Sequence, residues 1–229
     1  MSLLTREPLR DKVRRVLLDW LITGKLEPGS SISEPHIAEQ LGISRTPLRE
    51  ALLKLEFEGF LKSEPGKGFS VRPLSPDTAE DLYRLVGTLE VEALRNAGLP
   101  DETLMDELDD LDRRRRTSAD DHEAVKVLRL DQEWHTRLLE ACGNRELQAA
   151  LDLLKNRLYR YEYVFADDFE RLGRAGLDQH RAIVDALRDR ELDRACELLR
   201  AHWDMGAETR PDWLRRTERL SRLDGAASS

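Results

Sequence analysis

The sequence has only two cysteines in 229 residues, Cys142 and Cys196, and they show no pair spacing. That argues against a disulfide framework and for buried or free thiols in a reducing compartment. There is no apolar run near the roughly 18–20 residues that a membrane span needs. The start of the chain carries no signal-peptide apolar core, so a cytoplasmic location is expected. No nucleophile motif such as G-x-S-x-G occurs, and no general base is placed beside a nucleophile. After Pro76 there is no strand signal and no long repeat.

What is present is charge. Charged residues make up 36% of the chain and hydrophobic ones 40%, an ordinary composition for a helix-rich soluble protein, and 229 residues can hold two domains, each large enough for a core. The net charge of −8 argues against nucleic acid as a partner. Its distribution reverses that argument. Met1 to Ser75 holds 12 Lys and Arg against 10 Asp and Glu, and the remainder holds 25 against 35. The acidity belongs to the second part, and a mildly basic head can meet phosphate.

The head is organised around Ser33 to Phe60, which reads as two helices and a tight turn. Ser33 suits an N-cap and Pro35 the first turn. Ile37, Ala38 and Leu41 share a face, and Gly42 stops the helix. Ser44 caps the next helix, with Pro47 in its first turn. Leu48, Leu52 and Leu55 follow at helical spacing, with Ala51 and Phe57 near the same stripe. This is the helix-turn-helix pattern. Arg45, Thr46 and Arg49 open its second helix, where side chains reach base edges in the major groove, and Arg grips guanine with two bonds. Read alone, the same residues could equally solvate an exposed face.

Phe60 to Ser63 and Phe69 to Arg72 flank the turn Glu64-Pro65-Gly66-Lys67-Gly68, a hairpin signature. A basic hairpin after a helix-turn-helix is a wing. Its Gly66 tip can approach a phosphate closely and Lys67 supplies charge. Upstream, Val13, Val16, Leu17, Trp20 and Leu21 mark an amphipathic helix over Pro8–Thr23, after a loose start at Met1–Glu7.

These residues resemble the GntR family of bacterial transcription regulators. The resemblance rests on Gly24 to Gly29, on Ile37-Ala38-Glu39-Gln40-Leu41-Gly42-Ile43-Ser44-Arg45-Thr46-Pro47-Leu48-Arg49-Glu50-Ala51-Leu52, and on Leu55 to Leu61, and it runs from about Val13 to Arg72. It implies DNA contacts by Arg45, Thr46 and Arg49, with Gly66 at the wing tip. Many members carry a basic residue where this chain has Pro35 and His36.

Pro73-Leu74-Ser75-Pro76 makes a short, stiff link, so residues 1–74 are expected to form the winged head. Ser75-Pro76-Asp77 reads as an N-cap and a helix start. From there to about Arg216 the pattern is helical throughout. Helices are expected over Asp77–Ala97, with Leu82, Leu85, Leu89 and Ala93 on one stripe, and over Asp101–Arg116. A third runs from a cap at Ser118 or Asp120 to Ala141, and a fourth from Arg145 to about Phe165. The next, Phe169–Asp189, is interrupted near Gly173 to Gly176. The last long helix, Glu191–Thr209, is broken by Pro211, and residues 217–229 read as a disordered tail. The expected fold is mostly α: a winged helix-turn-helix with a small β wing, then an all-α bundle of six or seven helices.

The bundle's chemistry lies in its histidines. Asp131 and His135 stand four apart on one helix face. His180 and His202 begin or end apolar stripes and can point inward. One Asp and three His suit Zn²⁺, Ni²⁺ or Mn²⁺ and leave positions open for water or a ligand oxygen. On spacing alone a surface ion pair and two satisfied histidines are the favoured reading.

Here too a resemblance adds to the residues. Leu130 to Asn144, Gln179 to Leu187 and Ala195 to His202 are similar to the FCD effector domain of the FadR-type branch of GntR regulators. It implies that Asp131, His135, His180 and His202 ligate a divalent metal, and that the domain takes a small organic acid. Many relatives carry Arg four residues before a Glu in the first helix, where this chain has Val86 before Glu90, with Arg84 nearby. Arg84, Arg137, Tyr159 and Arg160 are effector-pocket candidates, with Arg157 beside them. The run Arg113–Arg116 reads as a solvated helix end.

The expectation is therefore a non-enzymatic, metabolite-responsive regulator, in the repressing mode commoner among relatives. It would act as a homodimer on a palindromic double-stranded operator, with no membrane partner. Its rivals are a metal-dependent hydrolase or lyase fused to a DNA-binding head, and a regulator whose metal is purely structural.

Overall fold

The computed structural model describes the backbone of residues 7–164 and 166–226, and the side chains among them except those of 164, 167–177, 210–214 and 216–226. The chain divides into two units, Met1–Leu74 and Ser75–Ser229.

In the first unit α1 (Leu9–Ile22), α2 (Glu34–Leu41) and α3 (Arg45–Phe57) precede a hairpin of β1 (Leu61–Glu64) and β2 (Gly68–Val71). Gly42 ends α2 in the left-handed conformation, φ 63°, and the Ile43 N–H reaches back to the Ala38 carbonyl at 3.0 Å. Ser33 and Ser44 stand at the N-cap positions of α2 and α3, but neither hydroxyl bonds to the first turn. The core gathers Val13, Leu17 and Leu21 of α1, Ile37 of α2, Leu48, Leu52 and Leu55 of α3, and Phe60, Phe69 and Val71 of the hairpin. Val16 and Phe57, expected near the apolar stripes, are both exposed, Phe57 by 92%. Arg14 clamps Glu58 through Nε and Nη2 at 2.7–2.9 Å and so ties α1 to the end of α3. Leu61 pairs with Val71 and Glu64 with Gly68 across the hairpin. The segment after Gly29 adds to it, through Ile32 N–H to the Phe69 carbonyl at 2.8 Å and Val71 N–H to the Ser30 carbonyl at 2.9 Å.

The second unit is a bundle of α4 (Pro76–Ala97), α5 (Glu102–Asp120), α6 (Ala124–Leu138), α7 (Arg145–Val164), α8 (Ala166–Arg188) and α9 (Leu192–Ala226). Ser75 Oγ accepts from Thr78 N–H at 3.4 Å, and Asp101 Oδ1 accepts from Leu104 N–H at 2.9 Å, so α4 and α5 are capped by their own side chains.

Several boundaries differ from expectation. α5 runs through Ser118, which is buried on its inner face, and the turn into α6 comes at His122 with φ 59°. Ser118 and Asp120 are therefore not caps of α6, which stops at Leu138 rather than Ala141. α8 passes Gly173 and Gly176 without a break. Each glycine costs about 1 kcal/mol, less than its buried Ile183, Val184 and Leu187 return against α9 and α5. α9 continues through Pro211, and the expected tail is helical to Ala226, with 227–229 outside the described residues. An interior proline costs about 3 kcal/mol but removes a single backbone bond from a long ladder. The inner face of α4 is also rotated from the expected stripe: Leu85 is exposed, while Tyr83, Val86, Gly87 and Glu90 point inward.

The α4–α9 seam depends on two glycines facing two aromatic rings. A Cβ on Gly87 would lie 2.6 Å from Trp203 Cβ, and one on Gly206 would lie 3.0 Å from the Tyr83 ring. Gly87→Ala is therefore expected to destabilise the bundle by about 1–2 kcal/mol, overpacking outweighing the gain in helix propensity. Urea unfolding of the full chain measures it, and an unchanged midpoint would show that the two helices separate at little cost.

Candidate DNA-binding surface and metal centre

In the first unit, Gly42 and the N-terminal turn of α3 place Arg45, Thr46 and Arg49 on one exposed face. They border a shallow depression with Ser33, Glu34, Pro35, Glu50 and Leu53. The wing presents Gly66 and Lys67 at its exposed tip, where positive φ at Gly66 and Gly68 turns the chain tightly. Lys67 Nζ lies 2.8 Å from Glu64 Oε2, an exposed, solvent-screened pair that leaves the ammonium able to exchange its partner. That contact and a second one from Lys62 hold the Glu64 carboxyl below its ordinary pKa.

In the second unit the three expected histidines come together. His135 of α6, His180 of α8 and His202 of α9 are buried, with possible ligand atoms all within 4.8 Å of one another. Their ring centroids stand 4.8–5.2 Å apart. Asp131, one turn before His135, has Oδ1 3.7 Å from His180 Nε2, and that same oxygen accepts a bond from Arg115 Nη1.

Each imidazole is held from outside the cluster. Glu90 of α4 is fully buried, and its Oε2 accepts from His135 Nδ1 at 2.8 Å and from Trp203 Nε1 at 2.8 Å. Its Oε1 meets Lys155 Nζ of α7 at 2.6 Å. Burial alone would raise the Glu90 carboxyl, but the charges and hydrogen bonds of His135 and Lys155 outweigh it and bring the pKa to about 2. An ionised Glu90 fixes the Nδ1–H tautomer of His135 and aims Nε2 inward. Gln179 Oε1 does the same for His202, accepting from Nδ1 at 2.9 Å. The His180 ring stacks on Trp134 at 3.9 Å between centroids. Burial first, then the Arg115 charge, hold His180 well below its ordinary pKa, so it is neutral at pH 7 with a lone pair to offer.

These residues fit a metal ion. His135 Nε2 and His180 Nδ1 are buried with no hydrogen-bond partner. Stranding a polar atom this way costs about 1–3 kcal/mol, which a cation on the lone pair would relieve. Three buried imidazoles with a carboxylate beside them are the donor set of a borderline divalent ion.

The effector candidates separate. Arg84 lies on the exposed side of α4 and pairs along its own helix with Glu80 at 3.1 Å. Arg137 pairs with Glu107 and Glu140 and lines a shallow depression between α5 and α6. Arg157 is half-buried. Arg160 is buried, which lowers its pKa to about 10. For Tyr159, burial, then the charges of Glu90, Glu162 and Asp131, push its hydroxyl well above the ordinary value.

Sequence reading missed four residues of this site. Lys155, Gln179 and Trp203 carried no motif of their own. Arg115, expected in solvent with its neighbours, is buried against the cluster. Its signal was present, since it continues the stripe of Leu108, Leu111 and Ser118.

The Glu90–Lys155 pair gives a direct check. Lys155→Met is expected to destabilise the bundle by about 3 kcal/mol, because it leaves Glu90 buried with its charge less compensated. A loss under about 1 kcal/mol on denaturant unfolding would show that His135 and Trp203 suffice to hold it.

Comparison with known proteins adds a family. The model of bacterial regulatory proteins of the gntR family matches residues 9–71, and that of the FCD domain matches residues 81–205. The chain is 36% identical over 180 residues to the Nta operon transcriptional regulator of Aminobacter aminovorans, covering 76% of this chain and 81% of that protein. It is 26% identical over 197 residues to YdhC of Bacillus subtilis, an uncharacterized HTH-type transcriptional regulator, covering 82% and 84%. Its fold is similar to that of E. coli McbR/YncC, with a TM-score of 0.77, 19% identity and coverage of 91% of this chain and 100% of that one. A putative GntR transcriptional regulator from Rhodococcus sp. RHA1 has a TM-score of 0.73, 24% identity and coverage of 88% and 96%. No helix among the described residues is long and apolar enough to cross a membrane.

Proposed function

The chain belongs to the GntR family and carries an FCD domain, so it is a DNA-binding transcriptional regulator rather than an enzyme; from that premise we propose that it is a metabolite-responsive repressor gated through a metal-bound carboxylate. The observation that carries the reading is the buried trio His135, His180 and His202, with two ring nitrogens left without a partner. FCD domains commonly bind a metal. Here Asp131 and the three histidines would hold a divalent ion such as Zn²⁺, Ni²⁺ or Mn²⁺. Bound there, the ion would supply a Lewis-acidic position for a small organic acid. Glu90 and Gln179 orient two of the rings, and the Trp134 face supports the third.

GntR regulators bind operator DNA and are typically dimeric. In this chain Arg45, Thr46 and Arg49 would read base edges, and Gly66 and Lys67 would meet the phosphate backbone. A homodimer would place two heads on the halves of a palindrome. Effector binding would then change operator affinity as a coupling free energy, about 1–3 kcal/mol in typical systems.

Capture of genomic fragments by the purified chain, with and without added metal and at stated salt, tests the reading as a whole. Palindromic peaks are expected, and uniform capture under all conditions would sink it. Arg45→Ala is expected to weaken binding to a captured site by about 1–3 kcal/mol while leaving metal content unchanged. His180→Ala is expected to lose bound metal in elemental analysis and keep metal-free DNA binding. A His180→Ala chain with the metal content of the parent would remove that residue from the site.

A further inference from the structure

The charges inside the bundle cancel without a metal. Among the described residues six charged side chains are buried, all in the second unit: Glu90, Asp112 and Glu162 against Arg115, Lys155 and Arg160. Arg160, lowered by burial to about 10, keeps its charge at pH 7. Two half-buried residues extend the same chain of ion pairs. Asp131 accepts from Arg115, and Arg116 Nε lies 3.1 Å from Asp112 Oδ2. Each adds one charge of opposite sign, so the sum stays at zero. Arg116 has a second partner in Asp178, but that side chain is 83% exposed and water answers its charge.

This balance constrains what the histidines can accept. Ligating imidazoles add nothing to the sum, since they bind a metal through the lone pair of the neutral ring. A divalent ion at His135, His180 and His202 therefore brings two positive charges into a buried, already neutral place. Uncompensated buried charge is costly, and among the described residues no further buried acid is left to answer it. Compensation has to arrive with the ligand. A neutral molecule leaves both charges, a monoanion leaves one, and a dianion restores the balance. The converse holds as well: without the metal, a dianion would enter the neutral interior unanswered. Each partner thus admits the other, and linkage makes the effect equal in both directions.

We propose that the ligand of this site is a small dicarboxylate carrying two negative charges, and that it binds cooperatively with the divalent ion. This rests on the metal reading above and narrows its organic acid to one charge class.

The test uses the full chain loaded with Co²⁺ and followed by its visible absorption, at a pH where malonate is fully ionised. Malonate is compared with malonamate, the same skeleton with one carboxylate replaced by an amide. Malonate is expected to bind the Co²⁺-loaded chain at least about tenfold more tightly than malonamate, and to tighten the hold on Co²⁺. Arg116→Gln removes one positive charge from the half-buried rim, so that a monoanion then balances the ion. Its preference for malonate is expected to shrink several-fold. The parental preference retained in Arg116→Gln would place it in the chelating chemistry of malonate alone and overturn the proposal. Equal affinities for the two anions in the parent chain, or loss of Co²⁺ to malonate in place of a joint complex, would overturn it too and leave the metal reading standing. A parent chain that takes up no Co²⁺ overturns the metal reading, and this one with it.

Discussion

The Glu90 carboxylate is the constraint on which the bundle's interior turns. It is fully buried and ionised, so it must be answered from several sides. The answers come from three helices: His135 of α6, Lys155 of α7 and Trp203 of α9. Removing any of them strands charge in a low-dielectric place. The network therefore does more than hold helices together. It fixes the tautomer of His135, and through Trp203 it sets the seam where Gly87 and Gly206 admit aromatic rings. The atoms that orient the histidine cluster also pack the helices, which is why a polar cluster can persist at the centre of an apolar bundle.

Every helix of the second unit contributes to that centre. α4 gives Glu90, α5 gives Arg115, α6 gives Asp131 and His135, α7 gives Lys155, α8 gives Gln179 and His180, and α9 gives His202 and Trp203. A site assembled this way reports on the relative position of all six helices. A ligand that tightened it would act on the bundle as a whole rather than on one loop, the kind of element a two-state regulator requires. The head unit is built differently. The side chains proposed to meet DNA stand exposed on one helix and a hairpin tip, supported by an apolar core and the Arg14–Glu58 clamp. Its charges are free to exchange partners with phosphate, whereas those of the bundle are committed to one another.

The head was largely legible in sequence because its signals are local. Gly42 demands a left-handed turn, Pro35 and Pro47 mark first turns, and Gly66 and Gly68 flank a hairpin tip; each acts within a few residues. The same local logic failed for the longer helices. Pro211 and the glycines of α8 lie within continuous helices. Ser118 is a buried interior residue rather than a cap, and Leu85 gave its place on the inner face to Val86 and Glu90. At Ser118 and on α4 the packing of the inner face, not the local capping or leucine pattern, decided the outcome.

For the site itself, sequence alone placed Asp131 and His135 on one face, since four residues make about one helical turn. The pattern also allowed His180 and His202 to point inward, but not toward one another. Their meeting within 4.8 Å is a product of how α6, α8 and α9 pack, and so is what the inward-facing Arg115 meets, although its helical stripe already marked it as inward. Periodicity tells which side of a helix a residue occupies. Only the tertiary structure decides what that side faces, because the partners come from helices tens of residues away and their approach is set by glycine contacts and buried charge that leave no local mark.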